Sequence, residues 1–328
     1  MASVTKTNSS FESAACYSAD SGPAVIAVKT WALDDVASGN QPPKAILQMN
    51  HGMAEYIDRY DAFAREVAAL GWLVVGMDFI GHGDSAPLPE QLGYTGLALP
   101  DDRNVFLEDM HTLRKLTQAA YPGVPYFMFG HSMGSFLLRA YLGHNGVGVT
   151  GAIISGTGVM AQQMVVMAKG LLGFLGLTHK PNYRSPFFTA MSIGAYNKPF
   201  EKAGARTPCD WLSRDNEQVD KYIADPRCGF MFTLAADKLL MDAIELANHP
   251  ITYSKTPRDL GLLLISGGDD PVGNAGIGVT QVMNGYHSLM KDVTMKLYPH
   301  GRHEMLNEIN RDEVTADIIA WLEAHLPS

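Results

Sequence analysis

The sequence predicts an α/β fold: a mostly parallel central sheet with helices on both faces and an inserted, mainly helical cap. Three observations predict it. Short, nearly continuous apolar runs recur along the chain, as strands buried on both faces require. Stretches with apolar residues at helical spacing separate them, the alternation of an α/β architecture. The alternation then stops between residues 156 and 250, where Met, Gly, Pro and aromatic residues collect.

The elements follow in order. Residues 1–44 read as an antiparallel entry hairpin with loops, with Val25-Ile26-Ala27-Val28 apolar and Trp31 after it. Ala45-Ile46-Leu47-Gln48-Met49 is the first strand of the alternating part and ends at His51-Gly52. Residues 60–70 carry Phe63, Val67 and Leu70 at helical spacing, and Gly71 is a stop signal. Trp72-Leu73-Val74-Val75 is the next strand. Residues 104–120 form a helix with Val105, Leu113, Leu116 and Ala120 on or near one face. Strands are expected at Tyr126–Phe129, at Gly151-Ala152-Ile153-Ile154, at Gly261–Ile265 and at Val293–Tyr298. A last helix over 313–325 places Val314, Ile318, Trp321 and Leu322 on one face. Residues 1–155 and 251–328 then form the core, and 156–250 an insertion over the carboxyl edge of the sheet, where open α/β sheets bind ligands.

Composition narrows the function classes. An apolar content of 46% with 18% charged residues is that of an ordinary globule. A net charge of −9 without a basic stripe argues against nucleic acid as a partner. Cys16, Cys209 and Cys228 are odd in number and widely spaced, which points to a reducing, cytoplasmic setting. The polar first twenty residues lack the apolar core of a secretory signal.

Gly130-His131-Ser132-Met133-Gly134 lies between a strand-like and a helix-like run. In that context G-x-S-x-G reads as a nucleophile elbow, with the serine on a strained strand-to-helix turn. The helix N-terminus behind it favours developing negative charge. With 32 glycines in 328 residues the pattern alone is weak, so a base, an acid and an oxyanion hole must come from elsewhere.

Gly267-Gly268-Asp269-Asp270-Pro271-Val272 follows a strand and offers two acids. Pro271 holds Asp270 to an extended backbone, which favours Asp270; the alternative is that both cap the next helix. Tyr298-Pro299-His300-Gly301-Arg302-His303-Glu304 follows the last strand and offers two histidines, of which His303 lies deeper in the loop. The order Ser132, Asp270, His303 is that of a hydrolase triad on an α/β sheet. His51-Gly52-Met53 ends the first parallel strand, so the Met53 and Met133 amides are the expected oxyanion hole. Gly81-His82-Gly83-Asp84-Ser85 lacks a phosphate-loop pattern and reads as a turn braced by Asp78 and Asp84.

Taken together, His51-Gly52-Met53-Ala54-Glu55, Gly81–Ser85, the Ser132 pentapeptide, Asp270-Pro271-Val272 and Arg302-His303-Glu304 resemble the monoacylglycerol lipase and lysophospholipase branch of the α/β-hydrolase superfamily. The resemblance covers roughly residues 45–155 and 255–325. It implies Ser132 as nucleophile, Asp270 as acid, His303 as base and the Met53 and Met133 amides as oxyanion donors. The implied reaction cleaves esters of single-chain lipids through an acyl-enzyme, with no metal or organic cofactor.

The insertion is the expected acyl-chain binder. Met160, Met164 and Met167 fall at i, i+4 and i+7, and flexible Met suits varied apolar chains. Packing of a cap helix onto its own domain is the competing reading. Glycines and glutamines dilute residues 160–177 too far for a membrane span, but transient contact with a membrane surface stays open. Acyl transfer on the same intermediate, a general carboxylesterase and a non-catalytic binding protein are the alternative functions.

Overall fold

The computed structural model describes residues 3–99 and 103–327; Met1 and Ala2 of the polar N-terminal stretch lie outside it. Its centre is an eight-stranded sheet in the order β1-β2-β4-β3-β5-β6-β7-β8. The entry hairpin is present as β1 (Val4–Glu12) antiparallel to β2 (Val25–Leu33), and β2 runs antiparallel to β4 (Leu73–Met77). From β4 onward all pairings are parallel: β3 (Ile46–Asn50), β5 (Tyr126–His131), β6 (Gly151–Ser155), β7 (Gly261–Gly267) and β8 (Val293–Tyr298).

Strands β3 to β7 are buried along their whole length, which is why they read as unbroken apolar runs. Alternate side chains still go to different cores. Ile46, Met128, Ala152 and Leu262 join one core, whereas Leu47, Phe127, Ile153 and Leu263 join the other. The second core is closed by α2 (Asp61–Ala68) and α12 (Arg311–Ala324). The first is closed by α3 (Val105–Ala120), α4 (Met133–Asn145), α9 (Leu234–Asn248) and α11 (Ile277–His287). The short α1 (Asp34–Ala37) follows β2.

Three helical details differ from expectation. On α3 the buried stripe runs through Val105, Met110, Leu113 and Thr117, and Leu116 is 52% exposed. Thr117, four residues from Leu113, takes the inward place that spacing would equally allow Leu116, and its hydroxyl donates to the Leu113 carbonyl. Leu70 is exposed because α2 ends at Ala68. Helix α11 has no sequence-level counterpart: glycines 278 and 285 dilute it, yet Val279, Val282 and Tyr286 keep one buried face.

Between β6 and β7 lie α5 (Gln162–Gly176), α6 (Pro186–Met191), α7 (Lys198–Lys202), α8 (Asn216–Ala224), α9 and α10 (Pro250–Lys255). Helices α9 and α10 pack on α4. Helix α5 rests on α9, where Lys169 bridges Asp242 and Glu245 at 2.7 and 2.6 Å. The fully buried Arg139 of α4 bonds both ends of the excursion: Thr157 and Gly158 at its start, Ala247 and Asn248 at its end. Among the described residues no helix is long and apolar enough to cross a membrane.

Candidate active site

The chain passes from β3 to β4 on one side and resumes at β5 on the other, so β3 and β5 flank the switch point of the sheet. Ligands bind at the carboxyl ends of strands at such a point. Ser132 stands there, directly after β5, with φ 52° and ψ −119°. That left-handed conformation is costly for a residue with a side chain, and it turns the serine away from its helix. Ser132 occupies the N-cap of α4, yet its side chain accepts no bond from the helix. Crowding explains the two glycines. A Cβ on Gly134 would lie 2.2 Å from the Asn50 carbonyl oxygen, and one on Gly130 would lie 2.4 Å from that of Gly134.

The two acid–histidine pairs separate cleanly by burial. His303 Nδ1 lies 3.0 and 3.1 Å from the Asp270 carboxyl oxygens, and both residues are buried. A carboxylate only accepts, so Nδ1 carries the proton and Nε2 is the free base. Asp270 is fixed by the Val272 amide at 2.9 Å and the Ser266 hydroxyl at 3.3 Å. Asp269 and His300 lie 3.6 Å apart on the surface, with His300 80% exposed.

Burial works against protonation of His303, but the Asp270 charge and hydrogen bond outweigh it and hold its pKa above the ordinary imidazole value. The His303 ring lies between His131 and Trp211, with ring centres 4.7 and 4.9 Å away. Burial, reinforced by the His303 charge, drives His131 well below the usual imidazole range and keeps it neutral. His303 Nε2 is buried without a hydrogen-bond partner, and no hydrogen bond joins it to Ser132. The two residues line the same cavity.

That cavity has a volume of about 270 Å³. Met53, Met133, Met160 and Met164 line it with Ser132 and His303. Met167 does not. Helix α5 begins only at Gln162, so Met160 precedes it and the three methionines do not share one helical face. The inward face of α5 is set by Val165 and Leu172, and Met167 lies two residues from Val165, on the opposite side, 66% exposed.

The turn after β3 is fixed from two sides. The Phe79 amide donates to His51 Nε2 at 3.0 Å, so His51 Nδ1 donates to the Gly52 carbonyl at 2.7 Å. The Gly52 amide donates to Glu55. The second polar loop is a braced turn, as its sequence suggests: Asp78 accepts from the amides of Ile57 and Asp84, each at 2.8 Å, and Asp84 pairs with Lys29.

A buried ion-pair cluster beside the site has no single motif in the sequence. Arg59 reaches Glu55 and holds Glu304 by two bonds of 2.7 and 2.6 Å. Tyr60 donates to Glu55 at 2.8 Å. The cluster joins the turn carrying Met53 to the loop carrying His303. The four-residue spacing of Glu55 and Arg59 was its only local sign. The 209–214 segment grips the same loop: the carbonyls of Trp211 and Leu212 accept from the His303 and Glu304 amides at 3.4 and 2.7 Å.

The chain is similar to known hydrolases over nearly its whole length. It is 29% identical to the monoacylglycerol lipase of Mycolicibacterium smegmatis, over 89% of this chain and 92% of that protein. It is 28% identical to the monoglyceride lipase of Mus musculus, over 84% and 80%. Among solved structures, a thermostable carboxyl esterase from Bacillus coagulans superposes with a TM-score of 0.86 at 29% identity, covering 98% of this chain and 99% of that one. The monoglyceride lipase of Saccharomyces cerevisiae shares the fold at a TM-score of 0.72 and 19% identity, with 97% of each chain covered. The model of the Hydrolase_4 family, described as serine aminopeptidase, S33, matches residues 41–310, and the chain belongs to that family.

Proposed function

We propose that this protein is a serine hydrolase that cleaves carboxylic esters of single-chain lipids, monoacylglycerols foremost, through an acyl-enzyme. The observation that carries the reading is His303, held by the buried Asp270 and with its Nε2 free, lining one largely apolar cavity with the strained Ser132. In this reading His303 takes the Ser132 proton as the hydroxyl attacks the ester carbonyl. Asp270 holds the imidazole tautomer and stabilises the imidazolium. The Met53 and Met133 amides stabilise the oxyanion, each contributing about 3 kcal/mol in sites of this kind. The alcohol leaves, and water releases the acid. Relatives named as monoacylglycerol lipases and a carboxyl esterase support the ester as substrate.

Residues 156–250 act in this reading as a cap on a core of 1–155 and 251–328. Arg139, which bonds both ends of that segment, supports these limits, and α9 is the cap's floor on α4. Met160 and Met164 would meet the acyl chain from the cap side. Val166, Met167, Phe174 and Leu177 are exposed on or just after α5. An apolar helix face of this kind supports transient contact of a cytoplasmic enzyme with a membrane surface.

The test is labelling with a fluorophosphonate probe, then turnover on monoacylglycerols, lysophosphatidylcholine and short p-nitrophenyl esters. Wild type is expected to label and to release fatty acid from monoacylglycerol. Labelling of Ser132→Ala equal to wild type would overturn the nucleophile. Products that are mainly new esters when an acceptor alcohol is added would make the enzyme an acyltransferase.

The pH profile has a definite sign. The base must be neutral, and Asp270 raises its pKa, so the acid limb of kcat/KM is expected above pH about 6.5, the unperturbed imidazole value. A rate that stays flat from pH 5 to 8 would exclude His303 as the base of the limiting step.

A further inference from the structure

The cavity at Ser132 is lined by one carboxyl that neither ester cleavage nor the Arg59 cluster uses. Asp237 stands in the first turns of α9, and with Leu240, Met241 and Ile244 it forms the stripe of that helix that lines the cavity. It is 4% exposed, and its Oδ2 has no hydrogen-bond partner. The other charges of the helix lie elsewhere: Lys238 and Asp242 line a separate cleft, and Asp242 and Glu245 pair with Lys169. Burial alone pushes the Asp237 carboxyl up to about 7. An unpartnered buried carboxyl is an expensive residue in a wall otherwise built of Met, Leu, Ile and Phe. Leucine would complete that wall without the cost.

Two parts of the cavity lining differ in chemistry. Glu55, Tyr222 and Glu304 line it where they gather at Arg59, and this polar part would take the alcohol of an ester. The α9 stripe, with Met160, Met164 and Phe188, is the apolar part of the lining, against which an acyl chain would lie. We infer that Asp237 is a specificity-determining residue that hydrogen-bonds a hydroxyl carried on the acyl chain, so that the cavity selects esters of hydroxylated fatty acids over those of plain alkyl chains. The inference rests on the ester-hydrolase reading above. A hydroxyl both donates and accepts, so it matches the carboxyl in either protonation state. A plain alkyl chain would cover the carboxyl and return nothing to it.

The experiment compares kcat/KM for glycerol monoesters of stearic acid and of hydroxystearic acids with the hydroxyl stepped along the chain. The enzymes are wild type, Asp237→Asn and Asp237→Leu, and the methyl esters of the same acids are run in parallel. At one or two neighbouring hydroxyl positions wild type is expected to prefer the hydroxylated ester by about 10-fold or more. Asp237→Asn, whose amide also donates and accepts, is expected to keep part of that ratio. Asp237→Leu is expected to abolish or invert it, chiefly by faster turnover of the plain ester. A wild type with no preference at any position overturns the inference, as does a preference that survives Asp237→Leu. So does an effect of Asp237 that follows glycerol against methanol and not the chain hydroxyl. Hydrolysis of p-nitrophenyl butyrate by wild type, lost in Ser132→Ala, tests the underlying reading separately.

Discussion

Ser132→Ala is expected to lower kcat on a monoacylglycerol by a factor on the order of 10⁴ or more, with KM little changed. His303→Ala should cost about as much, and the double variant no more than either alone, because nucleophile and base act as a unit. The informative control lies three residues away. His300→Ala and Asp269→Asn remove the members of the exposed pair and should leave turnover within about two-fold of wild type, since that pair lies outside the cavity. Asp270→Asn should cost on the order of 10⁴-fold, because the amide's NH₂ can face Nδ1 and stabilise the wrong tautomer. Stopped assays on the purified, folded variants check each of these expectations. Equal losses in His300→Ala and His303→Ala would reassign the base.

That contrast also marks how far the sequence could be read. Both Asp–His pairs sit at strand ends, and position in the loop with the fixed backbone before Pro271 favoured the inner pair. The strands were legible because β3 to β7 are buried on both faces and so leave unbroken apolar runs. The Met53, Ser132 and Asp270 loops were legible because each follows such a run, whereas the His303 loop follows β8, which is only partly buried and carries Thr294 and Lys296. Of the three methionines, Met160 and Met164 do line the cavity but Met167 does not, because a single face through all three assumes a helix that begins only at Gln162. Leu116 misled for a related reason: several apolar residues on α3 left the inward stripe open by a residue, and packing, not spacing, chose Thr117. The Glu55–Arg59–Glu304 cluster depends on a contact between residues 245 positions apart, which no local pattern carries.

Arg59→Met is expected to cost about 3–5 kcal/mol of stability, the range for stranding a buried charge by removing its partner. The side chain is 11% exposed, and its carboxylate partners only 3% and 7%, so solvent does little to screen the loss. The pH dependence separates this cause from lost packing. In wild type, burial would raise the Glu304 carboxyl, but the Arg59 charge and hydrogen bonds reverse that and hold it below its ordinary value. A depressed folded pKa contributes stability that is present above the unfolded value and lost as pH falls through the folded one. Without Arg59, burial and the mutual repulsion of Glu55 and Glu304 outweigh the remaining hydrogen bonds from Gly52, Tyr60 and Asn307, so Glu55, already raised in wild type, rises further and Glu304 rises above its unfolded value. Stability is then retained at low pH and lost as pH rises. The deficit of Arg59→Met in urea unfolding should therefore be larger at pH 8 than at pH 5, and Arg59→Lys should fall between it and wild type. An equal deficit at both pH values would make Arg59 a packing residue. Because the cluster connects the turn carrying Met53 to the loop carrying His303, the variant should also lose kcat at temperatures where it remains folded. Loss of stability without loss of kcat would limit the cluster to holding the fold.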